Sequence, residues 1–213
     1  MKIFSFLTCL LFAGFAFSQN SYYFTNPVLS MFTTTTVDAQ YYGTYTDDRT
    51  SLNYEFTSEG VFVVSISISS ISKKSVRETS TYSVRNGLIF GVVKDDSIPC
   101  ILENGYYYFG IKSKEALAPK HILSRIDASH YLINYKDGNT YTPSLVTFSN
   151  KGMTIQDFDY DIESDEFTYI AQRSSIPKGK QHVILLSPTD EETKVFLEKK
   201  PFGNATNFVK KDT

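Results

Sequence analysis

The chain has 213 residues, with 21 basic against 23 acidic side chains and a formal charge of −2. That balance gives no electrostatic ground for binding nucleic acid or an anionic membrane surface. It also carries 17 phenylalanines and 15 tyrosines but only two cysteines and no tryptophan, which excludes a disulfide-stapled scaffold and leaves the fold to its core.

The first residues read MKIFSFLTCLLFAGFAFSQN. Lys2 precedes an apolar run from Ile3 to Phe17, which closes on the small-x-small pattern Ala16-Phe17-Ser18. A bilayer span needs about 20 apolar residues, so residues 1–18 are expected to be a secretory signal peptide cleaved before Gln19. Cys9 lies inside that run and leaves with it. The Phe-Ser-Gln ending resembles signal peptides of Gram-negative bacterial envelope proteins. This implies a destination in the periplasm, at the outer membrane or outside the cell. About 195 residues remain, enough for one domain with a real core, at 20 basic against 23 acidic residues. No later apolar run nears the roughly 18 residues of a membrane span, so the mature chain is expected to have none.

Residues 19–39, ending in TTTTVDA, are weakly patterned and read as an N-terminal arm. A β domain is expected over 40–187, because Tyr, Phe, Val, Ile, Thr and Ser dominate while helix-forming Ala and Leu are sparse. Strands are predicted at 40–46 and 51–57. In VFVVSISIS the period is two, with Phe62, Val64, Ile66 and Ile68 on one face and Ser65, Ser67 and Ser69 on the other. Asn86-Gly87 in YSVRNGLIFGVV and Asn104-Gly105 in CILENGYYYFGI each sit between apolar arms, the signature of a tight hairpin. Cys100 falls in the second of these and is expected to be a buried, inert thiol. Further strands read at 121–126, 130–136, 141–148, 152–162, 166–173 and 181–186. Pro143 interrupts one of them and marks an edge or a bulge, since proline cannot donate to a ladder.

One helix is expected at 188–200. Ser187 or Thr189 can cap it, Pro188 suits its first turn, the acids at 190–192 suit its positive end, and Pro201 stops it. Residues 201–213 read as a polar tail. The fold class is therefore all-β, an antiparallel up-and-down barrel or sandwich with one C-terminal helix.

The segment TIQDFDYDIESDEFTY concentrates carboxylates at Asp157, Asp159, Asp161, Glu163, Asp165 and Glu166. On a strand the first three share one face, roughly 6.5 Å apart, so the outer two are about 13 Å apart. A calcium ion takes oxygens at about 2.4 Å, so a straight strand cannot gather them. A calcium loop would need glycine and glutamate where Ile162 and Thr168 stand. The run reads as the wet face of a strand followed by a polar turn, and as a surface that a basic partner would fit.

His121, His130 and His182 have no second histidine at zinc spacing. No G-x-S-x-G, S-x-x-K, H-E-x-x-H or phosphate-cradling loop occurs. Tyr41, Tyr42 and Tyr45, and the run Tyr106-Tyr107-Tyr108, read first as β-core side chains with a polar rim. No catalytic, metal-ligating or cofactor-binding residue is assigned, and ligand-binding residues are left unassigned.

Within YYGTYTDDRTSLNYEF, Gly43-Thr44-Tyr45 precedes an alternating strand, a glycine turn and a longer strand. Over residues 40–112 this resembles the opening of lipocalin-like (calycin) barrels, with Tyr45 where tryptophan is usual. The resemblance implies structural roles for Gly43 and Tyr45 at a barrel floor and a cavity for a small apolar ligand. The functional expectation is an exported, non-catalytic β domain that acts as a binding or accessory module of the bacterial cell envelope, with an envelope protein or a small hydrophobic ligand as its partner. The alternatives are a carrier of a small hydrophobic ligand, and a hydrolase whose site joins a histidine to a distant carboxylate.

Overall fold

The computed structural model describes residues 20–211 apart from positions 48, 50, 51, 95, 163, 164, 179 and 180. The expected signal peptide and Glu163 of the acidic run lie outside the described residues. In chain order the elements are β1 (Ser21–Phe24), β2 (Thr33–Thr34), β3 (Gly43–Thr46), β4 (Leu52–Thr57), β5 (Gly60–Ser72), helix α1 (Lys73–Glu78), β6 (Ser83–Arg85), β7 (Leu88–Phe90), β8 (Ser97–Glu103) and β9 (Tyr106–Ala116). They continue with β10 (Ile122–Arg125), β11 (His130–Asp137), β12 (Thr140–Ser149), β13 (Gly152–Asp157), β14 (Arg173–Lys178), β15 (Gln181–Leu186), helix α2 (Asp190–Lys199) and β16 (Thr206–Lys211).

The molecule is mostly antiparallel β, as its composition predicts. One path of paired strands runs β14-β15-β1-β12-β13-β16-β3-β4-β5-β9-β8-β7-β6, and β11, β10 and β2 continue from the other edge of β12. Both expected Asn-Gly turns form. Asn86 and Gly87 have φ of 50° and 74°, and Asn104 and Gly105 have 48° and 81°, the paired left-handed conformation of tight hairpins. A parallel pairing joins β1 to β15.

The inward face carries Tyr131 and Ile133 of β11, Val146 and Phe148 of β12, Met153 and Ile155 of β13, Phe208 of β16, Tyr45 of β3, and Tyr54 and Phe56 of β4. In the strand path β4 and β11 are separated by β3, β16, β13 and β12, yet the Tyr54 and Tyr135 hydroxyls lie 3.0 Å apart. The sheet has therefore curled until opposite walls touch. Rings fill the space between them: Phe148 lies 5.1 Å from Phe56, 5.6 Å from Tyr45 and 5.8 Å from Tyr131, and it stacks on Tyr41 at 4.5 Å. A second cluster covers the outer face of β11 and β12, where Leu132 meets Tyr22, Phe24, Val28, Phe167, Ile170, Leu186, Phe196 and Phe202.

Several expectations are corrected here. The stretches read as an arm and a polar tail contribute strands: β1 bonds to β12 and β15, and β16 lies between β13 and β3. The strand expected over 152–162 stops at Asp157. Phe158 donates its amide to Pro143 O at 3.2 Å and makes an isolated bridge to Phe202, and Tyr160–Ile162 is a 3-10 turn. The chain leaves the sheet there because Phe158 and Tyr160 pack against the second cluster. Residues 166–169 are a turn, with Glu166 and Phe167 at φ of 48° and 57°, and the next strand begins at Arg173.

Pro143 stands in the unbroken β11–β12 register opposite Asn134, neither at an edge nor at a bulge. On its other side the partner of β12 changes from β1, paired at Tyr141, to β13, paired from Ser144. A missing amide is tolerated at that seam. Thr189 is the N-cap of α2, Pro188 lies before the cap rather than in the first turn, and the six-residue α1 has no strong sequence signal. Cys100 is half-buried rather than buried, and desolvation pushes its thiol pKa up.

Candidate functional site

A cleft of about 410 Å³ opens beside the turn that joins β10 to β11. One wall is the outer face of β12 and β13, where Leu145 pairs with Gln156 and Thr147 with Thr154. Leu197, Lys200 and Phe202, at the end of α2, form the second wall, and Ile126, Asp127 and His130 form the lip.

The lip is built by a local motif. In Asp127-Ala128-Ser129-His130 the carboxylate Oδ1 accepts the Ser129 and His130 amides at 2.8 and 2.9 Å, a side-chain-capped turn that aspartate favours. His130 Nδ1 lies 2.9 Å from both Asp127 oxygens and 3.1 Å from Ser129 Oγ. Desolvation raises the Asp127 pKa, but the two amides and the imidazole outweigh it and bring the carboxyl down to about 2. An ionised carboxylate at Nδ1 fixes the proton on that nitrogen and leaves Nε2 as the accepting one in the neutral ring.

This is the base half of a relay without the rest. A nucleophile must sit on Nε2 while the carboxylate holds Nδ1. Here Ser129 Oγ and Asp127 approach the same nitrogen, so Ser129 cannot pass a proton to the ring nitrogen that would accept it. The opposite wall offers hydroxyls from Thr147 and Thr154, and Gln156 spends its amide on Gly203 O at 2.9 Å. What the cleft presents is an apolar surface edged by hydroxyls, an imidazole held by the Asp127 carboxylate, and one ammonium. That suits non-covalent contact.

The other histidines lie elsewhere. His121 Nδ1 accepts the Lys136 amide at 3.0 Å and its ring meets the edge of Tyr135. Burial, then the charge of Lys120, lowers its pKa, so the neutral acceptor form is the stable one. His182 Nδ1 lies 2.9 Å from Ser175 Oγ across β14 and β15.

The acidic run is dispersed rather than focused. Asp157 accepts Ser144 Oγ at 2.8 Å, Asp159 accepts the Asp161 amide at 3.1 Å, and Asp165 pairs with Lys199 at 3.2 Å. Among the described residues no group of three His, Cys, Asp or Glu side chains is placed to hold a metal ion.

Gly43 has φ of 146°. Tyr45 is fully buried and donates its hydroxyl to Tyr41 O at 2.9 Å. The sequence singles out His130 but not Thr147, Thr154, Gln156, Leu197 or Phe202. The sequence signal is the D-x-S-H turn, because the walls come from the β12–β13 hairpin and the end of α2, far apart in the chain. No protein-family model, curated protein or solved structure matches this chain.

Proposed function

We propose that this chain is an exported, non-catalytic binding module of a bacterial envelope, and that the cleft beside His130 takes a ligand or partner segment with an apolar body and an anionic or hydrogen-bond-accepting end. The observation that carries the reading is the cleft's composition. Leu145, Leu197, Ile126 and Phe202 supply apolar walls, and Lys200 supplies an ammonium donor at the rim. Export rests on the leader-like residues 1–18 alone.

The carrier reading, which the lipocalin-like resemblance implies, has less support. The inward positions that would line a barrel cavity are occupied by Tyr45, Phe56, Tyr131 and Phe148 in mutual ring contact. The hydrolase reading is favoured by one observation, the Asp127–His130 pair, and opposed by the shared use of Nδ1.

The test is a ¹H–¹⁵N titration of the exported chain with octanoate and with octanol. Saturable shifts confined to residues 126–130, 145–147, 154–156 and 197–202, tighter for octanoate and weakened by Lys200→Ala, are expected. Absence of shifts at millimolar ligand removes the cleft as a binding site. Ester or glycoside hydrolysis that disappears in His130→Ala would replace this proposal with the hydrolase.

A further inference from the structure

The antiparallel pair of β5 and β9 is longer than the core it grows from. Its rows run from Phe62 opposite Ala116 to Ser72 opposite Tyr106, and β8 extends it through Ile101 opposite Tyr108 and Glu103 opposite Tyr106. Only Val61 and Val63 of β5 belong to the inner cluster. Beyond Val64 one face of this extension is covered, with Phe109 and Ile89 buried.

The other face is bare. Residues directly paired in an antiparallel ladder point to the same side, so Ile66 with Lys112, Ile68 with Gly110, Ser70 with Tyr108 and Ile101, and Ser72 with Tyr106 and Glu103 form four successive rows of one surface. On it Ile68 is 81% and Ile101 73% exposed, and Ile66, Tyr106 and Tyr108 are exposed as well. An apolar surface spread across three strands marks a contact site.

We infer that this face is the interface of a two-fold homodimer in which the β8–β9–β5 sheets of two copies pack face to face. The row order makes the surface complementary to itself. A two-fold axis lying across the strands at the level of Phe109 stacks β9 on its copy in the reverse direction. Gly110 then faces Tyr108 of the other copy, and the row of Lys112 faces the row of Tyr106 and Glu103.

Each Tyr108 ring thus meets Gly110 and the Ile66 Cγ2 methyl that leans over it, 3.0 Å from where a Cβ would stand. Each Lys112 ammonium comes within reach of a Glu103 carboxylate, and every contact occurs twice, as an isologous interface requires. Among the described residues neither Lys112 nor Glu103 has an ion-pair partner in its own chain, so both charges are available across the axis. Two packed sheets lie about 10 Å apart, a gap that tyrosine and isoleucine side chains from both sides fill.

The test is sedimentation velocity on the protein recovered from an exporting host, from low-micromolar to sub-millimolar concentration. A monomer–dimer equilibrium is expected. Ile68→Glu should weaken it by about 100-fold, with an unchanged circular dichroism spectrum because the residue is 81% exposed. Lys112→Glu should weaken it by about 10-fold, and adding Glu103→Lys to that variant should restore most of the loss.

A chain that stays monomeric over the whole range overturns the proposal, whether or not it then binds lipid vesicles. Open-ended larger species overturn the two-fold geometry. A double variant as weak as Lys112→Glu alone overturns the stacking register.

Discussion

Asn134 shows how one polar side chain decides where the segment at Val28 docks. It is fully buried on the outer face of β11. Its Oδ1 accepts the Val28 amide at 2.8 Å, and its Nδ2 donates to Val28 O at 3.2 Å, Ser124 Oγ at 3.2 Å and Ile122 O at 3.4 Å. A buried amide with its bonds made is close to neutral in net energy, whereas removing it strands every partner. Asn134→Ala is expected to cost about 3 kcal/mol, read as a lower urea midpoint with an unchanged slope. A loss below about 1 kcal/mol would show that the Val28 backbone finds other partners. Nothing in the local sequence YLINYKD marks Asn134 as more than a polar residue in a strand. Its role comes from a segment more than a hundred positions earlier.

Elements whose signals are local were legible. Helix α2 begins where Thr189 accepts the Glu192 amide and Glu192 Oε2 accepts the Thr189 amide at 2.8 Å, a complete capping box. Glu192 Oε1 also accepts the Ala171 amide at 2.8 Å, tying the helix to the loop before β14. Thr189→Ala is expected to cost about 1 kcal/mol and Glu192→Ala about 1.5–2 kcal/mol. The double variant should cost less than the sum, because the two residues serve one cap. Chemical denaturation of the four proteins reads this directly, and strict additivity would contradict a shared cap. The end of β13 was not legible. Asp157, Asp159 and Asp161 alternate with Phe158, Tyr160 and Ile162 as a strand would, but Phe158 and Tyr160 are drawn into the second cluster and end the ladder.

At the scale of the molecule, β16 is the closing piece. It pairs with β13 on one side and β3 on the other, and Phe208 sits in the inner cluster, edge-on to Tyr54 at 5.4 Å. Deleting residues 204–213 would open two unpaired edges in the middle of the sheet and empty the Phe208 position. The shortened chain is expected to lose its cooperative thermal transition and to aggregate. A sharp transition within about 5 °C of the intact protein would show that β13 and β3 can close without it.

The amino-acid sequence by itself determined the β class, the two Asn-Gly hairpins and the site and capping of α2, because each depends on residues within one turn or one strand. Only the tertiary structure decided that the apolar side of β5 at Ile66 and Ile68 faces outward, that Ser21–Phe24 and Thr206–Lys211 are strands within the sheet, and that β11–β13 and the end of α2 flank a cleft at His130. Alternation states which residues share a face and is silent on which face is covered. That choice belongs to the strands that arrive from elsewhere in the chain.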